Sequence, residues 1–479
     1  MSACRSNARF AFLVGIGLAL GLASSRAHAD ALEDEPSAAP AQQQAPHGRV
    51  YTLAEVLALT DRNHPNIWAA RARLGVARGQ LDEARFLPYF QWYAQAAVGV
   101  FPSVGGSVGY TQTSPTALLN PTFLTGYEPF FNFQLNITLP IYTFGKISSG
   151  LDAATANVRV NEWDLEKVRQ LARMDARRAY FGTLYARDAR YLAKEVVNKL
   201  DKAIEGLTGR LDKGDTSVDE ADRFRMQMYR DETLAKAAEA DKGETYALAA
   251  LRFLTGVQTG FDVPDQPLKK PDTPLAPIVR YLGAARLFRP EVNMARAGVE
   301  ARKAELSLQR ARFFPDIGVQ LSTSYFVAPS VVAQSNIFAA NNMNYFGYGA
   351  AIGARWSLDL PTNAARVAQS ESRLEETRAL ERLALGGVGV EVENAYASAL
   401  EAKTREEHWD EAEHRARQWI ASVESAIDLG TKDERALTEP LRLYVYAKLE
   451  HERALNDLNI NMSELARVSG WDAAAPTGS

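Results

Sequence analysis

The chain has 479 residues, 23% of them charged, a formal net charge of −4 and a single cysteine. One cysteine excludes a disulfide framework and a thiolate metal cluster. The slight acidic excess excludes binding of nucleic acid through a basic surface.

Residues 1–29 read as a signal peptide. Arg5 and Arg9 precede the apolar run "FAFLVGIGLALGLA", and "AHA" at Ala27–Ala29 has the small-x-small form of a cleavage site. The run is 14 residues, too short for a spanning helix. Its removal would take the net charge to −7 and carry away Cys4, leaving no thiol and no cysteine for lipidation. No later apolar run reaches the length of a transmembrane helix, so entry into a membrane would have to be by strands.

Residues 30–49, "DALEDEPSAAPAQQQAPHGR", are rich in Ala, Pro and Gln and are expected to be a disordered lead-in. A first repeat is expected over 50–256. It opens with a short amphipathic helix in "YTLAEVLALTDRN" and a second from Pro65 to about Phe86, stopped by Pro88. Strands are expected at about 89–101 and 131–144, joined by a Gly/Ser/Thr/Pro/Asn loop. In "FNFQLNITLPI" apolar Phe131, Phe133, Leu135, Ile137, Leu139 and Ile141 alternate with Asn132, Gln134, Asn136 and Thr138. Amides and hydroxyls fill the polar row where a solvated sheet would carry charges.

From Lys146 the period lengthens. Residues 147–211 contain no Pro, and Phe181, Leu184, Leu192, Val196, Leu200, Ile204, Leu207 and Leu211 recur mostly three or four apart. Such a helix is on the order of 95 Å long. Gly214 interrupts it, Ser217 and Glu220 have the spacing of a capping box, and a return helix runs to "ALRFLTG". A Pro-rich connector at 257–280 leads into a second repeat over 281–471. This has a helix from Pro290, strands at about 316–326 and 345–360, a long helix from about Ala364 to Leu429, "GTKDE", and a last helix to Val468. A tail, 472–479, follows. Pro65 and Pro290, Pro88 and Pro315, Pro140 and Pro361, Gly214 and Gly430, and Gly256 and Gly470 all pair at separations between 214 and 227 residues. The halves are therefore an internal duplication.

Four strands cannot seal a wall in lipid, where every backbone group must be paired. Several copies must then share one barrel, and three copies supply twelve strands. Pro88, Pro140, Pro315 and Pro361 are expected to mark the transitions between helix and strand. Trp92, Tyr93, Tyr142 and Trp356 lie near strand ends as an interfacial girdle would. There is no Walker loop, no Gly-x-Ser-x-Gly and no metal-spaced His pair, and the six His read as surface residues. No catalytic, cofactor or metal residue is expected. A trimeric stalk or adhesin that conducts nothing, or an outer membrane hydrolase, remain rival readings.

Taken in order and in duplicate, several motifs resemble the TolC-type outer membrane efflux proteins, the outer membrane factor family. They are "HPN" and "RPE", "RFLP" and "RFFP", "LPIYTFGK" and "WSLDLPTN", "KGDTSVDEAD" and "LGTKDE", and the closing "ALNDLNINMSELARVSG". The resemblance covers about Tyr51 to Trp471. It implies a mixed fold: a homotrimer with a twelve-stranded transmembrane β-barrel continued by a periplasmic α-helical barrel. It also implies a passive exit duct for efflux or type I secretion, set in outer membrane lipid. The partners would be a periplasmic adaptor protein and an inner membrane pump of the RND or ABC type, with no nucleic acid. The helix-tip turns at Gly214 and Gly430 would gather at the periplasmic mouth. There the resemblance implies a latch from Lys432 to Asp219 and Glu220, with Asp215, Asp433 and Glu434 alongside. Of two pore acids usual after the second Gly, this chain keeps Glu439 and has Ala436 at the other.

Overall fold

The computed structural model describes residues 49–102, 127–213, 219–328, 344–432 and 434–470. The signal segment, the lead-in, both loops joining strands, Gly214, Asp215, Ser217, Asp433 and the tail lie outside the described residues. By contacts, Arg49 with Thr259–Phe261 belongs to a small separate unit, and 50–258 with 262 onward to a large one that holds the helices and strands that follow.

Helix α1 (Leu53–Asn63) starts with a complete capping box, in which Thr52 and Glu55 each bond the other's backbone N–H. Helix α2 (Pro65–Phe86) has Pro at its first position and buries Ile67, Ala70, Leu74, Ala77, Leu81 and Ala84 along one face. After β1 (Gln91–Pro102) and β2 (Tyr127–Tyr142) comes α3 (Lys146–Asp212), a helix of 67 residues. Its return partner α4 (Glu220–Thr255) ends on Gly256 at φ 71°. The second repeat follows the same order: α5 (Ile278–Phe288), α6 (Pro290–Ala311), β3 (Asp316–Val327), β4 (Asn344–Arg355) and α7 (Leu360–Asp428, 69 residues). A 3₁₀ turn (Glu434–Leu437) and α8 (Thr438–Val468) complete it.

Helices about 100 Å long need packing along their whole length, because propensity alone does not hold them. Helix α3 meets a different neighbour at each end. Near the sheet Val158 packs on Leu74, Ala77 and Leu81 of α2. Toward the tips Leu192, Val196, Leu200 and Leu207 pack on Met226 of α4, Ile420 of α7 and Leu441 and Tyr444 of α8. Helix α7 repeats the scheme, with Leu374 against Val299 and Leu306 of α6. Farther along, Val388, Val392 and Ala395 meet Tyr281 and Ala285 of α5 and Leu465 of α8.

The four strands form one antiparallel sheet in the order β1-β2-β3-β4. The two strands that meet at its centre, β2 and β3, come from different repeats, so the duplication is joined through the sheet. Pro88 and Pro315 stand between helix and strand as expected. Pro140 does not: it lies inside β2, where the β2–β3 register slips between Pro140 and Tyr142. A bulge tolerates the missing N–H, and the strand ends two residues later at Tyr142, with helix from Lys146. Pro361 is the second residue of α7, where a fixed φ suits a first turn, so β4 ends at Arg355 and not near 360. Helix α4 begins at Glu220 with Asp219 as N-cap, which removes the Ser217–Glu220 capping spacing; Asp219 makes no side-chain cap bond. The acids there sit at the positive end of the helix dipole instead.

Candidate functional site

The register of the sheet sorts its residues onto two unlike faces. One carries Trp92, Ala94, Ala96, Val98 and Val100 of β1, which pair across with Ile137, Leu135, Phe133, Phe131 and Pro129 of β2. On β3 these meet Leu321, Thr323, Tyr325 and Val327, and on β4 Phe346, Tyr348, Ala350 and Ile352. No charge interrupts this face, and its outer strands are open to the surroundings: Val98 of β1 is 79% exposed and Ile352 of β4 76%. An apolar surface of this extent is a lipid or protein contact. The other face carries Gln91, Gln95, Asn132, Gln134, Asn136, Thr138, Gln320, Ser322 and Ser324, with Gly347 and Gly349 opposite the serines. Among the described residues both β1 and β4 have one side unpaired, so the sheet ends in two rows of backbone donors and acceptors open to pairing.

Aromatic rings band the apolar face at the loop end: Phe131, Tyr325, Phe346 and Tyr348 follow one another at centroid separations of 6.3, 6.5 and 5.9 Å. At the helix end stand Trp92, Tyr142 and Trp356, the last donating its indole N–H to Phe313 O at 3.0 Å. Tyr93, expected with them, lies on the opposite face beside Gln95. The turn from β2 into α3 uses two residues at positive φ, Phe144 at 50° and Gly145 at 88°. A non-glycine residue is held in that region only by its surroundings. Here Phe144 is clamped between Tyr142 (4.6 Å) and Phe314 (5.2 Å, stacked), while Lys146 bonds Asp316 and Phe314 O, both at 2.8 Å. The turn from β2 into α3 of the first repeat is thus fastened to the Arg-Phe-x-Pro site of the second, Arg312–Pro315.

At the far end of the helices, Gly430 (φ 69°) closes α7, with Thr431 N donating back to Ala426 O at 2.9 Å. Lys432 is exposed and forms no ion pair among the described residues, so the expected bond to Asp219 or Glu220 is not made within one chain. Glu220 pairs with Arg223 at 2.8 Å, and Glu439 with Arg442 at 3.0 Å, each on its own helix. Two ion pairs tie the hairpins here, Lys199 to Glu424 and, nearer the turns, Arg435 to Asp222, both at 3.3 Å; the Thr438 hydroxyl faces Met226 Sδ at 3.8 Å. Sequence reasoning missed Arg435 because it stands in the 3₁₀ turn, whose tighter pitch decides which side chain crosses over. Pro440, at the third position of α8, is buried.

Two histidines are not surface residues. His64 is 5% exposed and N-caps α2, its Nδ1 accepting from Asn66 N; burial lowers its pKa. His451 lies between Glu413 (2.6 Å from Nδ1) and Glu406 (3.2 Å from Nε2). Carboxylates on both nitrogens require both to carry protons, and the Glu413 bond raises the pKa of the ring. Among the described residues no cluster of three His, Cys, Asp or Glu could hold a metal ion, and no helix is long and apolar enough to cross a membrane.

These features have counterparts among known proteins. The family model for outer membrane efflux proteins matches residues 56–257 and again 282–471, one stretch per repeat. The chain superposes on CusC, reported with its folding and transmembrane channel formation, at a TM-score of 0.69 and 16% identity, covering 87% of this chain and 91% of that one. It does so on the CmeC outer membrane channel of Campylobacter jejuni at 0.69 and 14%, covering 87% and 85%. For the open state of the MtrE outer membrane channel of Neisseria gonorrhoeae the values are 0.67 and 17%, covering 87% and 88%. No curated protein matches the chain.

Proposed function

The chain belongs to the outer membrane efflux protein family and is an outer membrane exit channel with its helices in the periplasm; from that premise we propose that three copies close one twelve-stranded barrel and that the helix tips gate it. The carrying observation is the sheet: a largely apolar, uncharged face, an amide and hydroxyl face behind it, and an open edge on each side among the described residues. Pairing β4 of one copy with β1 of the next satisfies both edges. Three copies then place Phe131, Val98 and Ile352 in lipid and Asn132, Gln134 and Ser324 around water. An even strand count suits such a barrel. A stalk needs no polar inner face, and the chain's two returns to the sheet give it no use.

The tips are the natural constriction, because six of them, two per copy, meet at one mouth. The Arg435–Asp222 tie holds the two hairpins of one copy together. Lys432, which has no ion pair among the described residues, would pair with Asp219 or Glu220 of a neighbouring copy, and Asp215, Asp433, Glu434 and Glu439 would add negative charge to the ring. Transport is passive and no chemistry is performed; a periplasmic adaptor and an inner membrane pump supply the solute and the energy. Mass measurement in mild detergent with planar-bilayer recording tests the assignment. A trimer that conducts is the expected result; a monomer, or a trimer without conductance, would refute it.

A further inference from the structure

One feature of the polar face does not fit a water-lined wall. At its loop end Phe130 of β2, Phe326 of β3 and Tyr345 of β4 form a stacked row, with centroids 5.6 Å apart and planes at 4°, then 6.3 Å apart and at 1°. The row is built into the strands. On β1, paired opposite Phe130, stands Gly99, where an added Cβ would lie 2.5 Å from Phe130 Cε1, so glycine is what lets that ring lie over its neighbour strand. The same level of the apolar face already carries Phe131, Tyr325, Phe346 and Tyr348, so anchoring at the lipid interface does not need these inner rings. Below them the face is amide and hydroxyl: Asn132, Gln134, Asn136, Ser322 and Ser324.

From this arrangement we propose that Phe130, Phe326 and Tyr345 form an aromatic ledge inside the exit of the duct, a weak binding site for solutes that carry a flat aromatic group. The proposal rests on the reading above, that this face lines the lumen. Rings stacked on one another have spent their faces, and what they offer inward is their edges. Ring edges are the positive side of the quadrupole and prefer the face of another ring, edge to face. Three copies would set nine such edges around the exit. An aromatic solute is held there briefly on its way out, whereas an aliphatic solute of the same charge finds only hydrated amides.

A matched pair of membrane-impermeant anions tests this in planar bilayers: naphthalene-2-sulfonate against cyclohexanesulfonate, added on the loop side of the channel. The expected result is a several-fold lower blocking concentration for the naphthalene compound. The double variant Phe130→Leu/Phe326→Leu should abolish that preference while keeping single-channel conductance, because leucine fills space without a ring edge. Tyr345→Phe, which keeps the ring, should preserve it. A merely structural row would leave the preference of the double variant unchanged. That outcome, or equal block by the two anions in the unaltered channel, overturns the ledge while leaving the channel standing. A protein that does not conduct at all overturns the lumen and the ledge together.

Discussion

In the first hairpin the buried charges are a pair, Arg187 and Glu244, with Arg187 held by Glu244 Oε1 at 2.7 Å, Val263 O at 2.8 Å and Asp262. In the second the buried charges are carboxylates: Glu406, Glu413 and Glu452, none more than 6% exposed, arranged around His451 and Lys448, with Lys270 reaching Glu406 at 2.9 Å. Both clusters do the same job of fastening the 257–277 connector to a long helix, since Asn459 of the second hairpin also bonds Lys269 O. Their chemistry differs. A guanidinium is charged at any physiological pH, while an imidazolium is not. One duplicated element has thus kept its architecture and diverged in pH response. Facing the second cluster from α3, Asp188 is raised to about 6, first by burial and then by Glu452, whose Oε2 finds no hydrogen-bond partner among the described residues.

The sharpest way to break this contrast is to remove Arg187. With Arg187→Met, Glu244 keeps Arg190 but loses its buried partner, and Asp262 loses its hold; breaking one side of a buried pair costs about 3–5 kcal/mol. Urea unfolding followed by helical circular dichroism should show this loss equally at pH 6 and pH 8. His451→Gln should cost less, about 1.5–3 kcal/mol for charged hydrogen bonds, because Lys448 and Lys270 still face the acids. Its loss should depend on pH. The ring's pKa is raised in the fold, so its contribution is complete below 6.5 and disappears as pH rises through the folded value. Glu413 moves the other way: burial pushes it up, but His451 and Lys448 hold it below 4.5, so its contribution is lost only in acid. The stability difference between the unaltered protein and His451→Gln should therefore shrink from pH 6.5 upward, a comparison in which the opposite contribution of buried His64 cancels. Parallel slopes in the two proteins would erase the distinction between the hairpins.

The sequence made the element order and the duplication legible, because periods and breakers are local signals. Pro65–Phe86 is recovered to the residue, and the alternation over Phe131–Ile141 identified both faces of β2. Pro140 misled because proline stops most strands, and the bulge that admits it depends on pairing with β3 of the other repeat. The buried acids were illegible for a related reason. "EEHWDEAEHRAR" reads as a solvated face, and the partners that cover it come from elsewhere in the chain: Lys270 of the connector on Glu406, and His451 and Lys448 of α8 on Glu413. At the tips Gly430 was plain from sequence, but the partner of Asp222 was not.

A second contrast lies at those tips, between a cation that is tied within its chain and one that is not. Arg435 and Asp222 are 42% and 13% exposed, so their bond is worth about 0–1 kcal/mol. Arg435→Glu replaces attraction by repulsion and should loosen the two hairpins of each copy. The expected readout is higher single-channel conductance and greater entry of bulky antibiotics into cells producing the variant.

Lys432→Glu should act more weakly and by another route. The side chain has no partner among the described residues of its own chain, so its loss leaves the single chain unchanged and unfolding curves should superimpose. The expected effect comes from contacts between copies, where an added carboxylate would join Asp219, Glu220 and Glu439 in a ring of like charge that resists closure. Being exposed, this repulsion is screened by salt over about 10 Å at 0.1 M. Conductance should therefore rise over the unaltered channel at low ionic strength, and the difference should shrink toward molar salt. A variant that conducts like the parent at both salt concentrations would remove Lys432 from the gate and leave Arg435 as its basic residue.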